Sequence, residues 1–422
     1  MSRQNTLKRT EYADVVIAGA GASGLAAAIE LRMKDEALSV VILEKNDAPA
    51  RKIRATGNGR CNITNRKDIS VLKEGYHEAE KFLYPALKEF GPDDTVSFFE
   101  NEVGLKTKEE DNNRIFPVCD SAVKVRDALV SFISGSTKII CGANVTSIKK
   151  TDVFEAGTSK GSFIFDYLIL SCGGSSFPKT GSDGDSYRFA KALGHDVIPA
   201  RGALAPLRAD EASIGFCREL SGVTVSAGIS LYSEGKKTAD KEGELLFAEF
   251  GLTGPAVMEI SREVPEDIAG KNVYLELDLV PRMTDEAFDK ELLRLIGEHG
   301  DTKISTLLSG FVPQSVAAGI TIKAGCEGSY AQSFTKENRR NICREMKHLK
   351  IGLASAPDIK IAYVTRGGVP LKEADRKTME SKIVSGLYII GEALDIDGIS
   401  GGYNLQACMS EAYLAAKSIV NQ

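Results

Sequence analysis

The sequence predicts an α/β dinucleotide-binding fold of Rossmann type, interrupted by a block of different texture. Three observations predict it. A β-branched run, Asp14-Val15-Val16-Ile17-Ala18, leads without a gap into Gly19-Ala20-Gly21-Ala22-Ser23-Gly24 and then into a helical pattern from Leu25 to Met33, which is the order a dinucleotide fingerprint needs. Strands that end in glycine return after residue 358, near the far end of the chain. The 422 residues also exceed the roughly 250–300 over which one hydrophobic core grows, so two or more domains are expected.

Within the fingerprint each glycine has its own task. Gly19 permits the tight turn, Gly21 lets backbone approach a pyrophosphate, and Gly24 lets helix and strand pack closely. Ala22 and Ser23 fall in the first helical turn, whose amides aim at the phosphates. A second apolar strand, Val40-Val41-Ile42-Leu43, ends at Glu44 with Lys45 beside it. A carboxylate there accepts from ribose hydroxyls and disfavours a 2′-phosphate. These residues leave FAD and NAD both open.

Composition narrows the class. Hydrophobic content of 43% with 26% charged residues is ordinary for a globular protein, and the net charge of -5 gives no global footprint for nucleic acid. Arg3, Lys8 and Arg9 precede no apolar run, and no stretch of 18 apolar residues occurs, so the expected location is cytoplasmic, without a membrane partner. The eight cysteines show no CxxC and no paired Cys/His spacing, so neither a metal site nor a disulfide framework is expected. His77, His195, His299 and His348 stand alone and are read as surface or packing residues.

Next comes RKIRATGNGRCNITN, residues 51 to 65, whose glycines and asparagines mark a loop. Its Arg51, Lys52, Arg54 and Arg60 suit a diphosphate or an anionic flavin. Cys61 has no second cysteine near it in sequence to complete a dithiol couple. Helical spacing runs from Glu78 to Phe99, RIFP at 114 to 117 breaks into a loop, and a helix follows from Ser121 to Phe132. Short strands fall at Lys138 to Cys141 and Asn144 to Lys149, where Val145 could face the adenine end of a cofactor. Strands Ser162 to Phe165 and Tyr167 to Ser171 close on Cys172-Gly173-Gly174, a second place for backbone to lie against a dinucleotide.

Beyond Pro199 the pattern becomes β-rich (223–231, 245–248, 273–279), then helical at Asp285 to Glu298 and Lys336 to Lys347. The basic run Arg339, Arg340, Arg344, Lys347 and Lys350 is read as a solvated helix face. The division is therefore 1–199 with 359–422 as the dinucleotide domain, 200–284 as a β-rich insert covering substrate, and 285–358 as its helical part. A strand from Ile359 to Val364 ends in Thr365-Arg366-Gly367-Gly368, and Gly386 to Ile390 runs into Gly391-Glu392. A helix then opens near Gly402-Tyr403-Asn404-Leu405, where its N-terminus can hold partial negative charge, as of a reduced flavin ring.

The ordered set GAGASGL, ATGNGRCNITN, LSCGGSSFPKTGSDGDSY, LLFAEFGLTGPAVMEIS, VTRGGV, TMESK and GLYIIGEALDIDGISGGYNLQACMSEAYLA resembles the BaiN-like, or aminoacetone-oxidase-like, NAD(P)/FAD-dependent flavoproteins along nearly the whole chain. The resemblance implies an FAD domain of the two-dinucleotide-binding type, discontinuous, with a β-barrel-like insert and a small helical subdomain. Its FAD motifs fall on Gly19, Gly21, Gly24, Glu44, the loop Gly59-Arg60-Cys61-Asn62 to Thr64, Gly173, Gly391-Glu392 and Gly402 to Leu405. It implies an FAD-dependent oxidoreductase moving hydride between flavin and a small organic molecule held where FAD domain and insert meet. The expected reaction is NAD(P)H-dependent reduction of a conjugated, steroid- or bile-acid-like enone. No second strand-GxGxxG-helix exists, so NAD(P)H is expected as a diffusible donor. Arg366, Tyr403 and Arg60 are the candidate catalytic donors. An amine oxidase using dioxygen is the runner-up, and an RNA-modifying flavoprotein using the basic helix near Arg339 and Arg344 is the third reading.

Overall fold

A computed structural model describes residues 10–422; Arg3, Lys8 and Arg9 lie outside the described residues. Two compact units emerge among the described residues, one of residues 10–201 with 364–422 and one of residues 202–363.

The first unit is built on a parallel sheet. β1, Thr10–Ala18, lies between β2, Val40–Glu44, and the strand Gly161–Leu170; Lys138–Cys141 extends the sheet beyond β2, and Leu387–Ile389 pairs with Gly161–Leu170 on the other side. Burial on both faces explains why Val15, Val16, Ile17 and Ala18 form an unbroken apolar run. The chain builds outward from β1 in one direction through β2, then in the other through Gly161–Leu170. The carboxyl ends of β1 and Gly161–Leu170, in register at Ala18 and Leu170, thus flank the reversal where ligands of open α/β sheets sit. Val145–Lys150 and Phe154–Thr158 complete an antiparallel meander into the same long strand. α1, Ala22–Lys34, packs its alanines Ala26, Ala27 and Ala28 into the core, as the C-terminal helix Tyr403–Val420 does with Ala412, Ala415 and Ala416.

Several elements differ from the sequence reading. RIFP is a strand, Arg114–Pro117, pairing with Thr64–Asn65 and Thr107–Glu110; its partners are too short and polar to carry a strand pattern. The helix expected from 78 to 99 is split into Glu80–Glu89 and Pro92–Ser97 at Gly91, where the Asp94 carboxylate accepts the Gly91 amide and starts a new helix. The strand expected from 359 to 364 begins only at Val364, because Asp358 turns the preceding residues, accepting from the amides of Lys360, Ile361 and Ala362.

In the second unit six antiparallel strands follow the order Leu207–Arg208, Gly251–Thr253, Lys236–Ala248, Thr224–Ser233, Val273–Asp278, Leu349–Gly352. A bridge from Ala209 to Leu353 joins the two edge strands and closes the sheet on itself. Closure removes both sheet edges, and alternate residues Val225, Ala227, Ile229 and Leu231 point inward. The helices Asp285–Glu298, Ile304–Leu308, Gln314–Lys323 and Lys336–Lys347 fill the connection between the last two strands and share the barrel's apolar core. No helix among the described residues is long and apolar enough to cross a membrane.

Candidate dinucleotide site

At the carboxyl end of β1 the three fingerprint glycines meet different constraints. Gly19 has φ +104°, and a Cβ there would stand 2.6 Å from the Ser171 carbonyl oxygen; one on Gly24 would stand 2.1 Å from the Gly19 carbonyl oxygen. The protein's own packing thus requires both. Gly21 differs: its Cβ would meet only Ser171 O, at 3.9 Å. The space over Gly21 is left open, as a pyrophosphate lying on the backbone needs. Gly21 is also the N-cap of α1, which has neither a side-chain cap nor an acidic residue in its first turn, where Ala22 and Ser23 lie. That first turn favours an anion.

Glu44 ends β2, buried, with its carboxylate aimed back at the turn. Oε2 accepts from the Ala20 amide at 3.0 Å, and Oε1 from the Asn46 amide at 2.8 Å and the Asn46 side chain at 2.7 Å. Three donors on about four acceptor sites leave one at Oε2 for a ribose hydroxyl. The residues present fit a dinucleotide of the FAD type. Lys45 instead pairs with Asp183 and, at 3.0 Å, with Asp185.

Other predicted segments converge on the same place. Gly174 lies against Thr365, whose hydroxyl accepts the amides of Ser175 and Ser176, both at 2.9 Å. Gly173 has φ +76° and faces Ser182. Lys52 donates to Ser176 Oγ at 2.8 Å and to both oxygens of Glu392 at 3.0 and 3.1 Å, while Tyr187 donates to the Glu392 carbonyl at 3.1 Å. A Cβ on Gly391, at φ +67°, would stand 2.8 Å from Ser23 Oγ. Residues 23, 52, 173–176, 365 and 391–392 therefore form one wall.

The loop Gly59 to Asn65 meets the C-terminal helix. A Cβ on Gly402, at φ +99°, would stand 2.5 Å from the Thr64 carbonyl group. Thr64 donates to Gln406, which also takes Thr95 and donates to Phe90 O and Ser410. Asn404 clamps the preceding loop through the Gly398 amide and carbonyl, and Leu405 packs half-buried on the core. Asn62 Oδ1 and Asn65 Oδ1 are buried acceptors with no protein partner, which a bound group with N–H or O–H donors would satisfy. Gly59 is exposed, with nothing near.

Three further predicted residues have surroundings of their own. Arg60 is held by Glu110 and Asp120 over the ring of Phe116, 4.2 Å away, so its donors serve two carboxylates. Val145 is buried on its strand, its carbonyl taken by Arg188 at 3.2 Å. Cys61 is buried, and burial pushes its thiol up to about 11. The thiol form is therefore the one present near neutrality, and Cys61→Ser is expected to keep most turnover, with negligible alkylation of Cys61 in the folded protein at pH 7. Rapid labelling, or a turnover loss of several hundredfold with flavin still bound, would overturn this.

Of the remaining donors, Arg366 is half-buried and meets the exposed carboxylate of Glu78 at 3.3 Å, while burial raises neighbouring Asp395. Tyr403 is buried against Tyr76, whose hydroxyl donates to the Tyr403 carbonyl at 2.8 Å. Ser176, Thr365, Tyr187 and Gln406 were not singled out by sequence. All four sit within the motifs of the resemblance, beside glycines whose spacing carries the stronger local signal.

Residues 13–418 match the model of the HI0933-like protein Rossmann domain. The chain is 31% identical over 408 residues to a 3-dehydro-bile acid delta(4,6)-reductase of Clostridium scindens, across 95% of this chain and 98% of that one. It is 30% identical over 424 residues to a ribosomal RNA dihydrouridine synthase of Haemophilus influenzae, across 98% and 100%. Among solved structures, the 3-ketosteroid delta1-dehydrogenase of Sterolibacterium denitrificans is similar with a TM-score of 0.54 over 97% of this chain and 100% of that one, at 13% identity, a likeness of fold alone.

Proposed function

Since this chain belongs to the HI0933-like Rossmann-domain family and has the build of an FAD-dependent oxidoreductase, we propose that it reduces a carbon–carbon double bond conjugated to a carbonyl, drawing electrons from NAD(P)H. What carries the reading is a chemical identity between two relatives of different name. A 4,6-unsaturated 3-oxo steroid and the uracil ring both present C=C conjugated to C=O, so hydride added to an electrophilic carbon of either conjugated system sends negative charge to the carbonyl oxygen until a proton reaches carbon. FAD, when bound, supplies the hydride chemistry. The chain's residues hold the dinucleotide at Gly19 to Gly24, Glu44 and the Lys52–Glu392 wall, and offer donors to the substrate oxygen.

A steroid-like enone is the leading substrate. The net charge of -5 opposes a polyanion, and in the basic helix Arg339, Arg344 and Lys347 are occupied by Asp289, Glu345 and Asp278. Uracil within RNA is the second reading, favoured by the Haemophilus relative. The test is anaerobic reduction of the purified protein by NAD(P)H, followed by a 4-en-3-one steroid or unmodified ribosomal RNA. Flavin reoxidation by one of them supports the proposal and selects the substrate. Reduction by amines, with reoxidation by dioxygen alone and release of peroxide, would sink it in favour of an oxidase.

Arg366 is the donor we place on the substrate oxygen, because its partner Glu78 is largely exposed and such a pair exchanges at little cost. Arg366→Ala should keep its flavin and slow reoxidation by substrate about 10²–10³-fold. A change below twofold removes Arg366 from the reaction and leaves Tyr403 as the next residue to vary.

A further inference from the structure

Glu411 is a carboxyl in the core of the first unit. It lies within the C-terminal helix, 0% exposed. Oε2 accepts the Gly391 amide, and Oε1 is buried with no hydrogen-bond partner. Its surroundings can be named element by element. From α1 comes Ser23, whose hydroxyl abuts Gly391. Its own helix contributes Cys408, the segment Lys73–Ala79 contributes Tyr76, and beside Gly391 stands Glu392, already paired with Lys52. Burial raises the Cys408 thiol and the Tyr76 phenol, so both keep their protons near neutrality. Burial also pushes the Glu411 carboxyl up to about 8, against the opposing pull of the Gly391 amide.

We infer that Glu411 is a positioning residue for the dinucleotide: as a neutral carboxyl it braces the Gly391 turn against the first turn of α1, and its ionisation limits flavin affinity at alkaline pH. The inference rests on reading the cradle as an FAD site. A diphosphate brings negative charge to the first turn of α1, which Gly391 touches through Ser23. A carboxylate bonded to the Gly391 amide, in a region of low dielectric, opposes that charge. Binding therefore selects the protonated carboxyl, and flavin affinity is linked to one proton.

The test titrates flavin-free protein with FAD from pH 6.5 to 9.5, following flavin fluorescence. The wild-type Kd should be flat near neutrality and rise towards tenfold per pH unit above about 8. Glu411→Gln keeps an acceptor for Gly391 and should show no slope over the same range. A second readout needs no flavin. The unfolded carboxyl titrates near about 4.3 and the folded one at about 8, so between these values the folded state holds more protons. Wild-type thermal stability should then fall relative to Glu411→Gln as pH rises through that window, and fall no further above it. If the glutamine variant does not fold, Glu411→Met takes its place. A flat wild-type Kd, or an unchanged slope in the variant, overturns the role of Glu411 alone. No flavin binding at any pH overturns it together with the FAD reading.

Discussion

A Gly21→Val variant is expected to fold with its thermal midpoint within a few degrees of wild type, yet to bind FAD about 100-fold more weakly, the scale of overpacking a tight contact. Adding a Cβ at Gly21 meets nothing of the protein closer than Ser171 O at 3.9 Å, so the fold itself has room for the first carbon of a side chain there. The valine occupies the space that the pyrophosphate needs. Gly24→Val makes the contrast, since its Cβ would lie 2.1 Å from the Gly19 carbonyl oxygen and should lower stability with or without flavin. Flavin content and thermal midpoint measured on both variants separate the two glycines. A Gly21→Val protein that purifies with full flavin would remove the cradle from the site.

The second large effect is on stability. Gln406, fully buried, receives the hydroxyls of Thr64 and Thr95 and donates to Phe90 O and Ser410. Gln406→Leu conserves much of the volume but leaves two buried hydroxyls without their acceptor, at about 1–3 kcal/mol each. A loss of about 3–5 kcal/mol is expected, read by denaturant unfolding. The variant should also lose flavin, because Thr64 anchors the loop that carries Asn62 and Asn65. A loss below about 1 kcal/mol, the worth of one ordinary hydrogen bond, would mean that the loop is held by other contacts.

How much of this was legible in the sequence depended on whether the determining contacts are local. The strand, glycine turn and helix at residues 14–34 lie next to each other in the chain and were read correctly. The helices Asp285–Glu298 and Lys336–Lys347 were placed to the residue, and Thr284 and Thr335 cap them by accepting from the amides of Ala287 and Asn338. Where the partner is distant, the pattern failed. Arg114–Pro117 is a strand only because Thr64–Asn65 and Thr107–Glu110 flank it. In the site, the glycines and Glu44 announced themselves by spacing, whereas Thr365 matters through Gly174, and Lys52 through Ser176 and Glu392. Arg60 looked like a ligand residue because its acidic partners, Glu110 and Asp120, are remote in sequence. Glu411 was invisible for the opposite reason: a glutamate late in a helix is ordinarily solvated, and nothing local indicates that this one faces inward.

The barrel of the second unit also has a bearing on the order in which the chain assembles. Its two ends lie side by side: the Tyr363 amide donates to Leu204 O at 3.1 Å, and a Cβ on Gly202 would touch Ala362. The parallel pairing of Leu168 with Leu387 requires strands on either side of this whole segment to meet, and closing so long a loop carries an entropic cost that grows with its length. Once the barrel has formed, its joined ends act as a short splice, and the loop still to be closed contracts to the residues outside it. Early formation of the inserted unit thus lowers the kinetic barrier for the flanking sheet, turning a pairing of high contact order into a nearly local one.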